Sequence, residues 1–362
     1  MINDLTRNAG QMLVVGFDGT ALPRSIGSAL SDGHIGGTIL FARNIIEPAQ
    51  VADLNHQIYQ AAGEGLLPFV SVDQEGGRVQ RLKEPLTRIP PMLEVGKTGN
   101  PRLAMRIGKV LGSELEALGF NLDYAPDADV WTNPENTVIG DRAFSQDPHV
   151  VAQFAGALAA GLLEAGIVPC AKHFPGHGDT LLDSHLDLPI VQHDFERLNE
   201  IELPPFRSLI AGGIPMIMTA HILVPSIDTR HPITFSENGL EQLLRKQMGF
   251  KGVIVSDDLE MKAVADRYEV DEMMALGLRA GVDLFLVCKT EEVWQEAFEC
   301  LVKLGEKSSA DKALISAAAA RVAKLKMDLL RPWRRPDDLM SLLGTDENQR
   351  VVAEVRALAA NR

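Results

Sequence analysis

Short runs of β-branched and other apolar residues recur along the chain, separated by stretches with helical spacing. The runs are MLVVGFDG from Met12, GGTILF from Gly36, PFVSVDQE from Pro68, NLDYAPDADV from Asn121, VPCAKHF from Val168, PMIMTA from Pro215, VIVSDD from Val253 and DLFLVC from Asp283. Between them, segments such as AMRIGKVLGSELEALG and VVAQFAGALAAGLLEAG carry apolar residues on one helical face and end in Gly. Eight strand candidates alternating with helices predict a parallel α/β architecture. That number favours a closed (β/α)8 barrel over a doubly wound sheet. The GxGxxG fingerprint of dinucleotide-binding folds is absent after the first strand, which points the same way. Residues 1–330 are read as one catalytic barrel. Residues 331–362, opening RPWRRPDDLM, hold two prolines and then a helical pattern. They are read as a C-terminal helical extension packed on the barrel rather than a second domain.

Several apolar runs end abruptly in polar residues. PFVSV leads into Asp73-Gln74-Glu75-Gly76-Gly77-Arg78, VPCA into Lys172-His173, MIMTA into His221 and VIVS into Asp257-Asp258. Barrel enzymes carry their chemistry at the C-terminal strand ends and in the loops that follow, so these positions are the first candidates. Asp257 should stand at the barrel rim. Asp258 should point elsewhere if the alternation persists, and reads as a helix N-cap before Leu259-Glu260-Met261.

The densest polar segment runs from Lys172 to His185, KHFPGHGDTLLDSH. Pro175, Gly176 and Gly178 rule out a continuous helix, so a long loop is expected, of the kind that can close over a substrate. Two chemistries compete for it. A metal site could draw on His173, His177, Asp179 and His185, but their spacing matches no compact ligand motif. Acid/base catalysis needs less. Asp183 and His185 are close enough for the carboxylate to accept from one imidazole nitrogen, leaving the other to move a proton. His177 reads better as a residue that hydrogen-bonds the loop to itself.

Composition narrows the partners. A formal charge of -14 over 362 residues disfavours nucleic acid and anionic membrane surfaces, while leaving small substrates open. The three cysteines are too few and too scattered for a disulfide framework, and Cys170 and Cys288 read as core residues. The opening MINDLTRNAGQMLVVGF lacks a secretory h-region and cleavage site, and no span long enough for a membrane is found. A cytoplasmic monomer acting on a small molecule is expected.

At these residues the chain resembles glycoside hydrolase family 3, and within it the single-domain bacterial β-N-acetylglucosaminidases of peptidoglycan recycling. The loop matches that subgroup's pattern KH(F/I)PG(H/L)G, four residues, then D-x-H, at every fixed position. DQEGGRVQR from Asp73, GDRAFSQDP from Gly140 and VIVSDDLEM from Val253 extend the likeness over most of the chain. The resemblance implies a (β/α)8 barrel without metal or organic cofactor. It implies Asp257 as the nucleophile of a covalent glycosyl-enzyme, and His185 partnered by Asp183 as the acid/base. It implies Asp73, Arg142, Lys172 and His173, with Arg81 beside them, as binders of sugar hydroxyls. Its substrates would be small glycans or muropeptides, namely GlcNAc–anhydro-N-acetylmuramyl peptides. Two-domain members carry a further sandwich domain that supplies a glutamate acid; at 362 residues this chain has no room for one. The rival expectations are a family 3 β-glucosidase or xylosidase, a metal-dependent hydrolase, and a non-catalytic sugar-binding protein. The segment HPITFS around Pro232 carries no role at this level.

Overall fold

Each of the eight apolar runs supplies one barrel strand. The computed structural model describes residues 4–180 and 188–361. Its barrel strands are β1 (Leu13–Val15), β2 (Gly37–Leu40), β3 (Phe69–Val72), β4 (Leu122–Asp123), β5 (Val168–Phe174), β6 (Met216–Thr219), β7 (Val253–Asp258) and β8 (Leu284–Val287). All pairings in the barrel are parallel and follow chain order. β8 closes on β1 through Leu13–Phe285, Val14–Leu286 and Val15–Val287. Helices such as Pro101–Ala117 and Pro148–Glu164 form the outer ring.

Strand periodicity separates two cores. Val14, Ile39, Phe69, Tyr124, Cys170, Met218, Val255 and Leu286 fill the barrel interior. Alternate residues such as Val70, Ala171, Ile217, Ile254 and Phe285 pack outward against the helices. Each fully buried Leu, Ile or Phe contributes about 1.5–3 kcal/mol of transfer free energy. The same alternation aims the chemistry. Val253 and Val255 face the interior, so Asp257 reaches the C-terminal mouth, and Lys172 follows Val168 and Cys170 in the same way.

The opposite end is sealed. Val322 and Leu325 of the helix Ser309–Leu329 join the interior cluster. Lys326 on that helix donates to Gln11 Oε1 (2.7 Å) and the Gly36 carbonyl (2.6 Å), with its ammonium 4.6 Å from the Phe69 ring centroid. In the tail, the helix Asp346–Ala359 packs on the helices Met92–Lys97 and Pro101–Ala117. Buried Glu114 fastens it, accepting from Thr87 N and Oγ1, Gly344 N and Asn348 Nδ2 at 2.7–3.0 Å. Cys170 and Cys288 are buried, Cys300 is half-buried, and all three are free thiols. Among the described residues, no helix is long and apolar enough to cross a membrane.

Two local expectations are corrected. Asp258 is not a helix N-cap: Leu259–Met261 form a turn, and the next helix begins at Lys262. Its Oδ1 instead accepts from Glu260 N (3.0 Å) and Cys288 N (3.2 Å), tying the end of β7 to the residue after β8. The loop expected from Lys172 begins later, because β5 continues through Lys172 and His173 to Phe174.

Candidate active site

The mouth of the barrel holds a cavity of about 460 Å3 bordered by Asp73, Arg81, Arg142, Lys172, His173 and Asp257, with Glu75, Arg78 and Asp258. Six of the eight candidate residues named from the sequence therefore meet around one space. The other two, Asp183 and His185, lie outside the described residues.

DQEGGRVQR folds as a hairpin standing on β3. Gln74–Gly76 pairs antiparallel with Val79–Gln80 around Gly76 and Gly77, whose φ values are +103° and +53°. A Cβ on Gly76 would meet Ile89 Cγ2 at 2.7 Å, so the turn also needs the missing side chain for packing. Buried Gln74 locks the far arm through its Oε1, which accepts from Arg81 N (2.8 Å) and Leu82 N (3.0 Å). The hairpin thus presents Glu75, Arg78 and Arg81 to the cavity.

Glu75, which the sequence placed at a strand end but gave no role, is a functional candidate. It is 2% exposed and receives both Arg142 Nε and Nη2 at 2.8 Å, with Lys172 Nζ at 2.7 Å. Lys172 Nζ also donates to Asp73 Oδ1 (2.7 Å), and Arg81 Nη2 lies 3.7 Å from Asp73 Oδ2. Burial alone would raise the Glu75 carboxyl, but Arg142 and Lys172 overcome it and hold the group well below the usual range. Burial works against both cations too, and the surrounding carboxylates keep Arg142 and Lys172 protonated above their ordinary values. Arg142 arrives from the 3-10 turn Gly140–Arg142 within GDRAF.

Asp127 and Asp129 complete this network and were also missed. The chain after β4 keeps pairing with β5, Ala128 N donating to the Lys172 carbonyl at 2.6 Å, so both aspartates lie alongside Lys172 and His173. Asp129 Oδ2 is 2.8 Å from His173 Nδ1, while its Oδ1 accepts from His177 N at 2.6 Å. His173 Nε2 lies 3.3 Å from Arg142 Nη2, a group that can only donate. His173 therefore carries its hydrogen on Nδ1, facing Asp129. Burial and the neighbouring Asp129 push Asp127 well above the ordinary carboxyl range. His177 faces the loop: its Nδ1 is 2.7 Å from Thr180 Oγ1, and its carbonyl accepts from Asn136 Nδ2 at 2.7 Å. Burial and His173 push it down to about 4.

Of the residues of the metal alternative, His185 lies outside the described residues, both ring nitrogens of His173 face Asp129 and Arg142, and Asp179 meets Thr132 and His193. Among the described residues, Asp127, Asp129 and His173 form the compact group whose ligand atoms lie within 4.8 Å of one another. Arg142 Nη2 stands 3.7 Å from Asp127 Oδ2 and 3.3 Å from His173 Nε2, bringing a guanidinium where a cation would have to enter. A cation at these three residues would have to displace that guanidinium.

Asp257 is partly buried at the cavity wall, with Oδ1 accepting from Asp258 N at 2.8 Å. Burial raises its carboxyl, but His221, His173, the Asp258 N–H and Lys172 more than compensate and hold it below the ordinary value. Asp258 shifts the other way, pushed up to about 7 by burial and by the charges of Glu260 and Asp257. Asp257 stays anionic at neutral pH beside a carboxyl only partly ionised. Gly178, in the loop leaving β5, packs with its Cα against the Val130 carbonyl, where a Cβ would stand at 1.9 Å. That glycine is required by a close backbone approach.

An ionised carboxylate at the barrel mouth, among cations and donors suited to hydroxyl groups, can attack an electrophilic carbon of a bound sugar. Comparison with known proteins finds glycoside hydrolases. Residues 5–325 match the profile described as the glycosyl hydrolase family 3 N terminal domain. A β-hexosaminidase of Thiobacillus denitrificans is 39% identical over 319 residues, covering 86% of this chain and 85% of that one. A family 3 β-N-acetylglucosaminidase from Paenibacillus sp. str. FPU-7 superposes with a TM-score of 0.93 at 37% identity, covering 99% of this chain and 69% of the other. NagZ from Neisseria gonorrhoeae superposes with a TM-score of 0.80 at 33% identity, covering 96% and 97%.

Proposed function

This chain belongs to glycosyl hydrolase family 3 and is a glycoside hydrolase, and from that premise we propose that it is a retaining exo-β-N-acetylglucosaminidase. Its substrates are β-1,4-linked GlcNAc–anhydro-N-acetylmuramyl peptides, and its setting is cytoplasmic peptidoglycan recycling. The observation that carries the reading is Asp257. It is a carboxylate held ionised at the end of β7, in the same cavity as Asp73, Arg81, Arg142, Lys172 and His173.

Asp257 attacks the anomeric carbon while His185 protonates the leaving glycosidic oxygen. The bond to the aglycone breaks as the bond to Asp257 forms, giving a covalent glycosyl-enzyme. His185 then takes a proton from water, which attacks the same carbon and releases Asp257. Two inversions give net retention. Asp183 orients and stabilises the imidazolium, the part a carboxylate plays beside a catalytic histidine. Asp73 accepts from sugar hydroxyls, while Lys172, Arg142 and Arg81 donate to them. His173 presents Nε2, and the Asp129 bond keeps that nitrogen an acceptor. Residues 331–362 serve as an extension of this catalytic barrel.

The test compares release of nitrophenol from aryl β-N-acetylglucosaminide and aryl β-glucoside, with and without EDTA, for the wild type and Asp257→Ala. Chelator-resistant release from the first substrate only, lost in the variant by roughly a thousandfold or more, is the expected result. Equal release from the glucoside would overturn the N-acetyl assignment. Near-normal turnover by Asp257→Ala would overturn the mechanism.

A further inference from the structure

Main-chain pairing between β6 and β7 runs through Met216–Val253 and Ile217–Ile254 and stops at Met218–Val255. β7 continues to Asp258, so the residues that carry the nucleophile overhang their neighbour on this side. A side chain spans the gap. His221, fully buried just beyond β6, has Nε2 at 3.0 Å from the Asp258 carbonyl oxygen. That oxygen only accepts, so Nε2 carries the hydrogen and donates it. The Asp258 N–H, on the other side of the same residue, donates to Asp257 Oδ1 at 2.8 Å. Asp258 therefore connects the imidazole to the nucleophile through its main chain.

What holds the imidazole is the segment HPITFS. Ile233–Phe235 forms a single 3-10 turn, with Ile233 N donating to the Ile222 carbonyl at 2.9 Å. This seats Thr234, fully buried, against His221, with Oγ1 2.8 Å from Nδ1. The same hydroxyl lies 2.8 Å from Thr219 Oγ1 and 3.2 Å from the Ala220 carbonyl. The Thr234 hydroxyl carries one hydrogen, shared between two acceptors: given to Nδ1 it leaves the ring neutral, and given to the Ala220 carbonyl it accepts from Nδ1–H instead. The line of contacts runs from Thr219 through Thr234 and His221 to the Asp258 carbonyl. His221 and Thr234 are separate from the residues that border the sugar cavity.

We propose that His221, oriented by Thr234, is a positioning residue for the nucleophile, supplying the rung that the β6–β7 ladder lacks and so fixing where the Asp257 carboxylate points. The proposal rests on Asp257 being the nucleophile. It assigns HPITFS its function: a turn that holds one imidazole in place. Because the rung acts on the reacting carboxylate and not on the groups that bind the sugar, its loss falls on kcat. A displacement of about 1 Å in a reacting group can cost on the order of a hundredfold in rate.

The experiment measures kcat and KM on 4-nitrophenyl β-N-acetylglucosaminide for Thr234→Val, Thr234→Ser, His221→Leu and His221→Gln, with melting curves and Asp257→Ala alongside. Thr234→Val removes the hydroxyl at nearly constant volume, and Thr234→Ser keeps it. The expected result is a roughly 10- to 100-fold fall in kcat for Thr234→Val and His221→Leu, with KM within about threefold. Thr234→Ser should stay near the wild type, and His221→Gln, which keeps a donor, should fall between. If His221→Leu fails to fold, the Thr234 pair decides. Wild-type kcat in folded Thr234→Val overturns the proposal, as does an equal loss in Thr234→Ser or a loss confined to KM. If Asp257→Ala keeps its turnover, the nucleophile assignment itself fails. If Asp257→Ala is inactive while Thr234→Val is unimpaired, only the positioning role fails.

Discussion

Replacing Glu75 with Gln removes one negative charge from the most tightly paired part of the site. Glu75 is 2% exposed and takes two hydrogen bonds from Arg142 at 2.8 Å and one from Lys172 at 2.7 Å. Breaking a buried ion pair by removing one partner costs about 3–5 kcal/mol, since the remaining charge is left uncompensated. Glutamine keeps one acceptor oxygen but turns an NH2 donor toward the other cation, so a cost near the lower end, about 3 kcal/mol, is expected. Unfolding entropy of about 2.1 cal/mol/K per residue, over 362 residues, makes this a fall in Tm of about 4 °C. Activity should suffer more, because Lys172 and Arg142 lose the group that spaces them, and kcat/KM should drop roughly 10- to 100-fold. The pH dependence has a defined sign. The folded carboxyl sits below its unfolded value near 4.5, so its stabilisation is full above that pH and is lost as pH falls toward the folded value. Between pH 7 and pH 4, the Tm difference between wild type and Glu75→Gln should therefore narrow. Melting curves at both pH values and aryl glycoside kinetics test this. A Tm within 1 °C of the wild type at neutral pH, with kcat/KM within about threefold, would refute the reasoning.

Two further substitutions probe the same surroundings. Asp129→Asn places an NH2 opposite the His173 Nδ1–H and favours the other tautomer, whose Nε2–H then opposes Arg142. A loss of about 1.5–3 kcal/mol in sugar binding is expected, seen as a KM rise of tenfold or more, and an unchanged KM would count against the orienting role. Asp258→Asn keeps the oxygen that accepts from Glu260 and Cys288 while removing a carboxyl pushed up to about 7. The raised value means that the wild type loses stability as pH climbs from about 4 to about 7, so the variant's advantage should grow across that window to about 4 kcal/mol at most. A Tm difference that does not vary between pH 4.5 and 7.5 would contradict it.

The barrel was legible because each strand is an apolar run and the interior needs nothing subtler than alternation. Asp73, Lys172, His173 and Asp257 were legible for the same reason, as polar residues closing those runs. Glu75 was not: between Gln74 and two glycines it reads as a solvated turn residue, and strands of two or three residues have no period to detect. Asp127 and Asp129 lie in the quoted run NLDYAPDADV. Their alternation was a usable signal, but Pro126 between them and β4 hides that pairing with β5 resumes. Thr234 was beyond reach, since its importance comes from His221, a residue brought to it by tertiary packing alone. Asp258 misled because an Asp followed by Leu-Glu-Met fits a helix start locally, whereas its Oδ1 also takes the Cys288 N–H at the end of the neighbouring strand β8.

The proposed mechanism requires Asp257 to form a bond to the sugar. The most direct test is intact-protein and peptide mass spectrometry after exposure to a fluorinated N-acetylglucosaminyl fluoride, a donor that forms the glycosyl-enzyme faster than water clears it. One added sugar mass is expected, carried by the peptide containing Asp257 and absent in Asp257→Ala. An adduct on another side chain would contradict it, as would turnover of aryl β-N-acetylglucosaminide with inversion at the anomeric carbon and no adduct at all.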